Sequence, residues 1–168
     1  MPETIDRIRE AKPTTDEVLA IARVISACRL SAYGLTPGTQ AYRHMVEEPL
    51  TDEKLTELTE WVSRPHGLAW VAETSEGNIG GIAIGQRDEP KQTDRFEYFF
   101  MDPRFQGQGW GSEMIRTFCS RAVYPQLVWL VYGNDRAEQL YAKHGFQWFR
   151  TYRDRAIEMK FKGMERPK

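Results

Sequence analysis

Three glycines in five positions, Gly107, Gly109 and Gly111, stand within the run Gln106-Gly107-Gln108-Gly109-Trp110-Gly111. Glycine lets a backbone approach a ligand closely and aim successive N–H groups at one point. The run follows an aromatic stretch, Phe96-Glu97-Tyr98-Phe99-Phe100-Met101, interrupted by Asp102-Pro103. It opens a segment, Ser112 to Ala122, whose apolar residues return at helical spacing. Strand, glycine turn, helix is therefore the expected order. The start of a helix adds the positive end of its dipole, so a phosphate or pyrophosphate is the ligand this chemistry favours. An ordinary glycine-rich turn is the alternative.

Other reactive side chains are few. His44, His66 and His144 show no ligand spacing with one another or with Cys28 and Cys119, so no metal site is expected. Both cysteines fall in expected helices and read as small buried hydrophobes of a reducing compartment. With 168 residues, 40% apolar and 28% charged, the chain is expected to be one soluble domain, residues 1–168. A net charge of −1 gives no electrostatic case for nucleic acid or an acidic membrane. The start, Met1-Pro2-Glu3-Thr4-Ile5-Asp6, lacks a basic-then-apolar signal pattern, and no apolar run is long enough to span a bilayer. The cytoplasm is the expected location.

The elements that must position the glycine turn can be read in order. Thr4 to Glu10, anchored by Ile5 and Ile8, is a first strand. Thr14-Thr15-Asp16-Glu17 reads as a capping box in which Thr14 accepts from the Glu17 amide and Glu17 reaches back. Val18, Ile21, Ile25 and Cys28 then mark one face of a helix that stops near Gly34. Gly34 to Gly67 is irregular, with a turn at Pro37-Gly38, a short helical piece over Ala41 to Glu47, and a helix from Thr51 bearing Leu55, Leu58 and Val62. Leu68 to Thr74 and Ile79 to Gln86 form a hairpin, and Arg95 to Met101 is the strand before the glycine turn. The apolar run Leu127 to Tyr132 reads as a strand buried on both faces. Asn134-Asp135 caps a last helix carrying Ala137, Leu140, Tyr141 and His144, and Phe146 to Tyr152 and Ala156 to Phe161 close the chain as strands. The fold class is α/β with a mixed, largely antiparallel sheet.

Two nucleotide-binding readings fail. A P-loop needs Gly-x-x-x-x-Gly-Lys-Ser/Thr, and no lysine follows these glycines. A dinucleotide turn needs Gly-x-Gly-x-x-Gly, yet the sixth residue from Gly107 is Ser112 and from Gly109 it is Met114. The ribose-binding acid would fall near Trp129-Leu130-Val131, where there is none.

The run Met101-Asp102-Pro103-Arg104-Phe105-Gln106-Gly107-Gln108-Gly109-Trp110-Gly111 resembles the acetyl-CoA signature of GNAT-type N-acetyltransferases. In that family Gln/Arg-x-x-Gly-x-Gly/Ala follows a strand ending in an apolar residue, one spacer and proline. The segment Asn134 to Phe146 is similar to the family's second signature, with Leu140 where an aromatic residue usually precedes Tyr141. The resemblance extends over nearly the whole chain. It implies a single GNAT-like domain of about seven strands, splayed at the cofactor site and flanked by about four helices.

The resemblance also implies roles. Backbone groups of Phe99 and Met101 would bind the pantetheine arm as an added strand. The amides of Gln106, Gly107, Gln108, Gly109, Trp110, Gly111 and Ser112 would hold the pyrophosphate, with Asn134 in the second signature alongside. Arg104 and Arg136 are candidates to neutralise phosphate or are solvated surface residues. Backbone N–H near Met101 would stabilise the oxyanion. Tyr141 aligns with the tyrosine that protonates the departing sulfur, its alternative being a plain core residue. Glu97, an acid among aromatics and two residues before Phe99, is the candidate base, on the same face as Phe99 by strand alternation. Its alternative is an ion pair with Arg95 or Arg87. The implied activity is acetyl transfer from acetyl-CoA to a primary amine. A small molecule is preferred over a peptide, because no further domain is present to recognise a protein. A non-catalytic acyl-CoA-binding module on the same fold is the competing reading. Trp61, Trp70, Tyr33 and Tyr42 are unassigned aromatics of either the acceptor pocket or the core. Asp88, Glu89 and Asp94, like Glu47-Glu48, are acids that attract a cation or are simply solvated. Family members are often dimers.

Overall fold

A computed structural model describes residues 1–168. Its strands are β1 (Ile5–Glu10), β2 (Ala69–Thr74), β3 (Ile79–Asp88), β4 (Thr93–Met101), β5 (Gln126–Val131), β6 (Gln147–Asp154) and β7 (Met159–Arg166). They make one sheet in the order β1-β2-β3-β4-β5-β7-β6. Every neighbouring pair is antiparallel except β4 and β5. The helices are α1 (Thr15–Tyr33), α2 (Gln40–Tyr42), α3 (Asp52–Ser63), α4 (Trp110–Arg121) and α5 (Asp135–Lys143). That is one more than the expected four or so. The short helical piece expected over Ala41 to Glu47 is α2, which runs straight into a π turn at Arg43–Glu47 and a 3-10 turn at Glu48–Leu50.

Thr14 caps α1 as expected, accepting from the Glu17 amide at 3.4 Å. Glu17 does not complete the capping box; its carboxylate takes the Lys12 amide at 2.6 Å and the Arg9 guanidinium at 2.9 Å. The last strand begins later than its apolar pattern indicates. The Asp154 carboxylate accepts the Ala156 amide at 2.9 Å, and Glu158 adopts a left-handed φ of 56°, so residues 155–158 form the turn.

Helical spacing decides which side of the sheet each helix covers. The α1 and α3 stripes, Val18, Ile21, Ile25, Leu58 and Val62, pack on Val71, Ile82 and Ile84. On the opposite face Met114, Ile115 and Phe118 of α4 and Tyr141 of α5 pack on Phe96, Val128, Leu130 and Phe146. Each large side chain sealed this way contributes about 1.5–3 kcal/mol.

The pairing of β3 with β4 contains one inserted residue. Ile84 pairs with Tyr98 but Gly85 pairs with Phe96, so Glu97 is the extra residue of a β-bulge. The bulge flips the phase of the strand. Phe96, Phe99 and Met101 face α4 and α5, whereas Tyr98 and Phe100 face α1 and α3. Glu97 therefore does not share a face with Phe99, contrary to the simple alternation. Gly85 is what permits this packing: a Cβ there would lie 2.4 Å from the Phe118 ring and 2.5 Å from the Arg95 backbone oxygen. Gly85→Ala is expected to cost about 2–3 kcal/mol, the upper part of the usual range for overpacking. The melting temperature should then fall by about 5–10 °C; a melt within about 2 °C of the parent would remove this account of the bulge.

Candidate active site

The site is built where the one parallel pair comes apart. β4 and β5 are joined only through Asp94, Arg95 and Phe96 against Gln126, Leu127 and Val128. Beyond that, residues 97–101 of β4 have no partner on this edge, and the two strands diverge. Asp94 locks the closed end. It is fully buried, pairs with Arg87 Nε at 2.8 Å, and accepts the amides of Val123 and Tyr124 at 2.7 and 3.1 Å. It is thus a clamp between β4 and the end of α4, unavailable to an incoming cation.

The open edge is chemically unsatisfied. The Asp102 amide donates to the Gly80 carbonyl at 2.9 Å, which fixes the phase of the antiparallel ladder. Phe100 and Tyr98 accordingly turn their N–H and C=O groups toward β3, and Phe99 and Met101 turn theirs into the gap. The Gln106 side chain covers one of these, donating to the Met101 carbonyl at 2.8 Å. The N–H of Met101 and both groups of Phe99 remain for an added strand.

The glycine turn closes the other side. Pro103–Phe105 forms a 3-10 turn, Gly107 and Gly109 have φ of 75° and 89°, and α4 starts at Trp110. The first amide bond along α4 runs from Glu113 to the Gly109 carbonyl at 3.1 Å. The N–H groups of Trp110, Gly111 and Ser112 therefore have no partner inside the helix. A Cβ on Gly111 would sit 3.3 Å from the Leu140 side chain of α5, so the helix start and α5 pack closely here. Ser112 is tied to α5 by a 2.9 Å contact between its Oγ and His144 Nε2. Burial and nearby Arg116, Lys143 and Arg166 hold that imidazole below its ordinary pKa.

These groups share one cavity of about 780 Å³. Phe99, Met101, Gln106, Gly107, Gly109, Gly111, Ser112, Asn134, Tyr141 and Glu97 all line it. Gln108 and Trp110 do not. The Gln108 side chain bonds back to the Arg104 carbonyl, and Trp110 packs against the core, so only their amides face the turn. Asn134 caps α5, accepting from the Ala137 amide at 3.2 Å.

The two arginines separate clearly. Arg104 is held by Asp102 at 2.9 Å and Glu3 at 3.2 Å on the surface. Arg136 has no ion pair, and its Nη2 lies 3.8 Å from where a Gly107 Cβ would be. Among the remaining aromatics, Tyr33 lines the cavity. Trp61, Trp70 and Tyr42 belong to the packed clusters instead. His44 pairs with Glu48 at 2.6 Å in a separate hollow, and His66 lies in the turn after α3.

Tyr141 and Glu97 reach the cavity from opposite sides of the sheet. Tyr141 is buried among Phe96, Phe99 and Phe146, with ring centroids 6.1, 5.7 and 5.4 Å away. Burial pushes its phenol well above the ordinary tyrosine range. Its hydroxyl makes no hydrogen bond to the protein and is not sealed off, so it opens into the cavity. Glu97 lies toward α3, where Lys54 and Glu57 act on it. Burial raises its pKa, partly offset by Arg95, whose Nη2 is 2.7 Å away. That pair is close but poorly aligned, since Glu97 Oε1 and Arg95 Nε both lack a hydrogen-bond partner.

Two diverging parallel strands, a glycine turn feeding a helix start and a tyrosine at the junction define an acyl-transferase-like α/β fold. The description of the GNAT acetyltransferase family matches residues 36–146, and the chain belongs to that family. Among solved structures it is similar to PaiA N-acetyltransferase from Thermoplasma acidophilum in complex with coenzyme A. That likeness has 14% identity and a TM-score of 0.73 and covers 100% of both chains. Ribosomal-protein-alanine N-acetyltransferase from Brucella melitensis is 18% identical with a TM-score of 0.68, over 97% of this chain and 100% of the other. Chaetomium thermophilum Naa20 in complex with a bisubstrate analogue is 17% identical with a TM-score of 0.69, over 96% of this chain and 86% of the other. No curated protein sequence matches significantly. No helix is long and apolar enough to cross a membrane.

Proposed function

We propose that residues 1–168 act as one N-acetyltransferase domain that moves an acetyl group from acetyl-CoA to a small primary amine. The observation that carries this reading is the unpaired β4 edge, with the free backbone groups of Phe99 and Met101 opening into the same cavity as the amides of Trp110 to Ser112. The pantetheine amides fit that edge as a strand, and the pyrophosphate fits the helix start.

The chain's residues then divide the chemistry. Glu97 takes a proton from the attacking amine, directly or through water, on the side of α3. Backbone N–H on the splayed edge, near Met101, steadies the oxyanion without reorganising. Tyr141 gives its proton to the departing sulfur from the side of α5. Acid and base on opposite faces keep their protons from meeting.

Free-thiol release from acetyl-CoA over a panel of amines tests the reading. Turnover with small amines is expected, and turnover only with peptides would overturn the acceptor assignment. Absence of both turnover and acetyl-CoA binding would overturn the whole. Arg136 should assist the phosphates as a single charge-assisted contact. Arg136→Gln is expected to weaken acetyl-CoA binding about fivefold, a discounted value for an exposed contact. Arg104→Gln, already neutralised by Asp102 and Glu3, should change it by less than about twofold. Titration calorimetry at one salt concentration measures both.

A further inference from the structure

On the α1 side of the same cavity one cation has no counter-ion. Arg29, on the last turns of α1, lines the cavity. Its guanidinium lies over two rings of β4, with Cζ 5.3 Å from the Tyr98 centroid and 5.7 Å from that of Phe100. Of the five N–H donors of an arginine, only one has a partner, from Nη1 to the Met45 carbonyl at 3.3 Å. Nε is sealed from solvent and bonded to nothing. Nη2 has no partner in the protein either and is not sealed, so it is what the cavity meets.

The acids around it are already engaged. Glu48 is 2.6 Å from His44 and 3.7 Å from Lys54, Glu57 is 2.8 Å from Lys54, and Glu97 is 2.7 Å from Arg95. A desolvated guanidinium without a counter-charge is costly, and ring faces and one long carbonyl contact offset only part of that cost. Burial draws its pKa below the ordinary arginine value, with Tyr98, Tyr33 and Glu48 offsetting only part of that effect. Of the residues that line the cavity Glu97 is the one acid, and it is paired with Arg95, while Met45, Trp129 and Phe161 offer apolar surface.

We infer that Arg29 is a specificity-determining residue that receives the carboxylate of the acceptor, so that the substrate class is an amine that also carries a carboxylate, with an apolar body between or beside them. A planar oxyanion matches the open fork of the guanidinium and supplies the missing charge. Tyr98 and Phe100 hold that fork in place before the acceptor arrives. Because Arg29 stacks on Tyr98, the neighbour of Glu97, a carboxylate seated there leaves the amine on the side of the bulge. This deepens the acetyl-transfer reading above and rests on it.

Matched pairs of amines test the inference: phenylalanine against phenethylamine, and methionine against its decarboxylated amine. The readout is kcat/KM by thiol release at saturating acetyl-CoA. The wild-type protein is expected to prefer the carboxylate member at least tenfold. Arg29→Gln should lose about tenfold or more on the carboxylate members and much less on their partners, as removal of a charge-assisted contact predicts. Arg29→Lys should recover part of the loss, since a point charge replaces the fork. Acetyl-CoA affinity by calorimetry should stay within about twofold in both variants, which shows that they are folded. No preference in the wild type, or an equal loss on both members of a pair, would overturn the inference and leave acetyl transfer standing. If no amine is turned over, the acetyl-transfer reading fails instead. Calorimetric titration of phenylalanine into the CoA-saturated protein then decides separately: saturable binding weakened in Arg29→Gln supports the carboxylate site, and no binding removes it.

Discussion

Tyr141→Phe is expected to lower kcat about a hundredfold or more, the usual contribution of a positioned general acid, while the acetyl-CoA dissociation constant stays within about twofold. The two halves of that expectation come from the same packing. The ring is wedged between Phe96, Phe99 and Phe146 in edge-to-face contact, and phenylalanine fills that space equally well. The hydroxyl makes no bond to the protein, so removing it orphans no buried partner and should cost little stability. What is lost is a proton donor that opens into the cavity lined by Phe99. Its raised pKa keeps it protonated at every working pH, and because the same shift weakens it as a donor, the transfer depends on the leaving thiolate sharing that desolvated site. A tyrosine that served only the core would give a silent substitution. Steady-state kinetics with calorimetry separates the cases, and an unchanged kcat would remove Tyr141 from the mechanism and favour a binding module.

Local chemistry was legible and long-range geometry was not. The glycine turn, the Thr14 cap and the stripes of α1, α3 and α4 depend on residues within one or two turns of each other, and these appear in the structure where the spacing places them. The bulge at Glu97 is different. Six consecutive residues of aromatic, acidic and apolar character carry no mark of an inserted position, because the insertion exists only relative to β3. Period-two reading therefore placed Glu97 on the face of Phe99, when the flip puts it toward α3. Asp94 looked like one more surface acid, and its burial depends on amides of Val123 and Tyr124 about thirty residues away in sequence. Arg104 and Arg136 looked alike. The pairing of Arg104 with Asp102, and with Glu3 near the other end of the chain, distinguishes them. Arg29 had the least visible signal. It follows Cys28 on the edge of a buried helical stripe, where a basic residue normally reads as solvated. The packing of α1 over Tyr98 and Phe100 is what reveals it.

Glu97→Gln should change the pH dependence of turnover as well as its size. The base must be ionised to accept a proton, and burial raises the Glu97 pKa above the ordinary carboxylate value, with Arg95 only partly offsetting it. With both substrates saturating, kcat reports ionisations in the ternary complex. It should therefore fall with unit slope as the pH drops through the raised Glu97 value, on the alkaline side of where a solvated glutamate titrates. Above that pH, kcat should be flat, because the Tyr141 hydroxyl is pushed upward and does not lose its proton in the accessible range. Glutamine keeps the shape and the contact with Arg95 but cannot ionise, so the acid limb should disappear. The plateau should drop about a hundredfold, the low end of general-base contributions. The register of β3 against β4 fixes the side chain on the α3 side. A variant that kept the limb with an unchanged midpoint would show that another group takes the proton. The mechanism would then rest on the amine arriving already neutral.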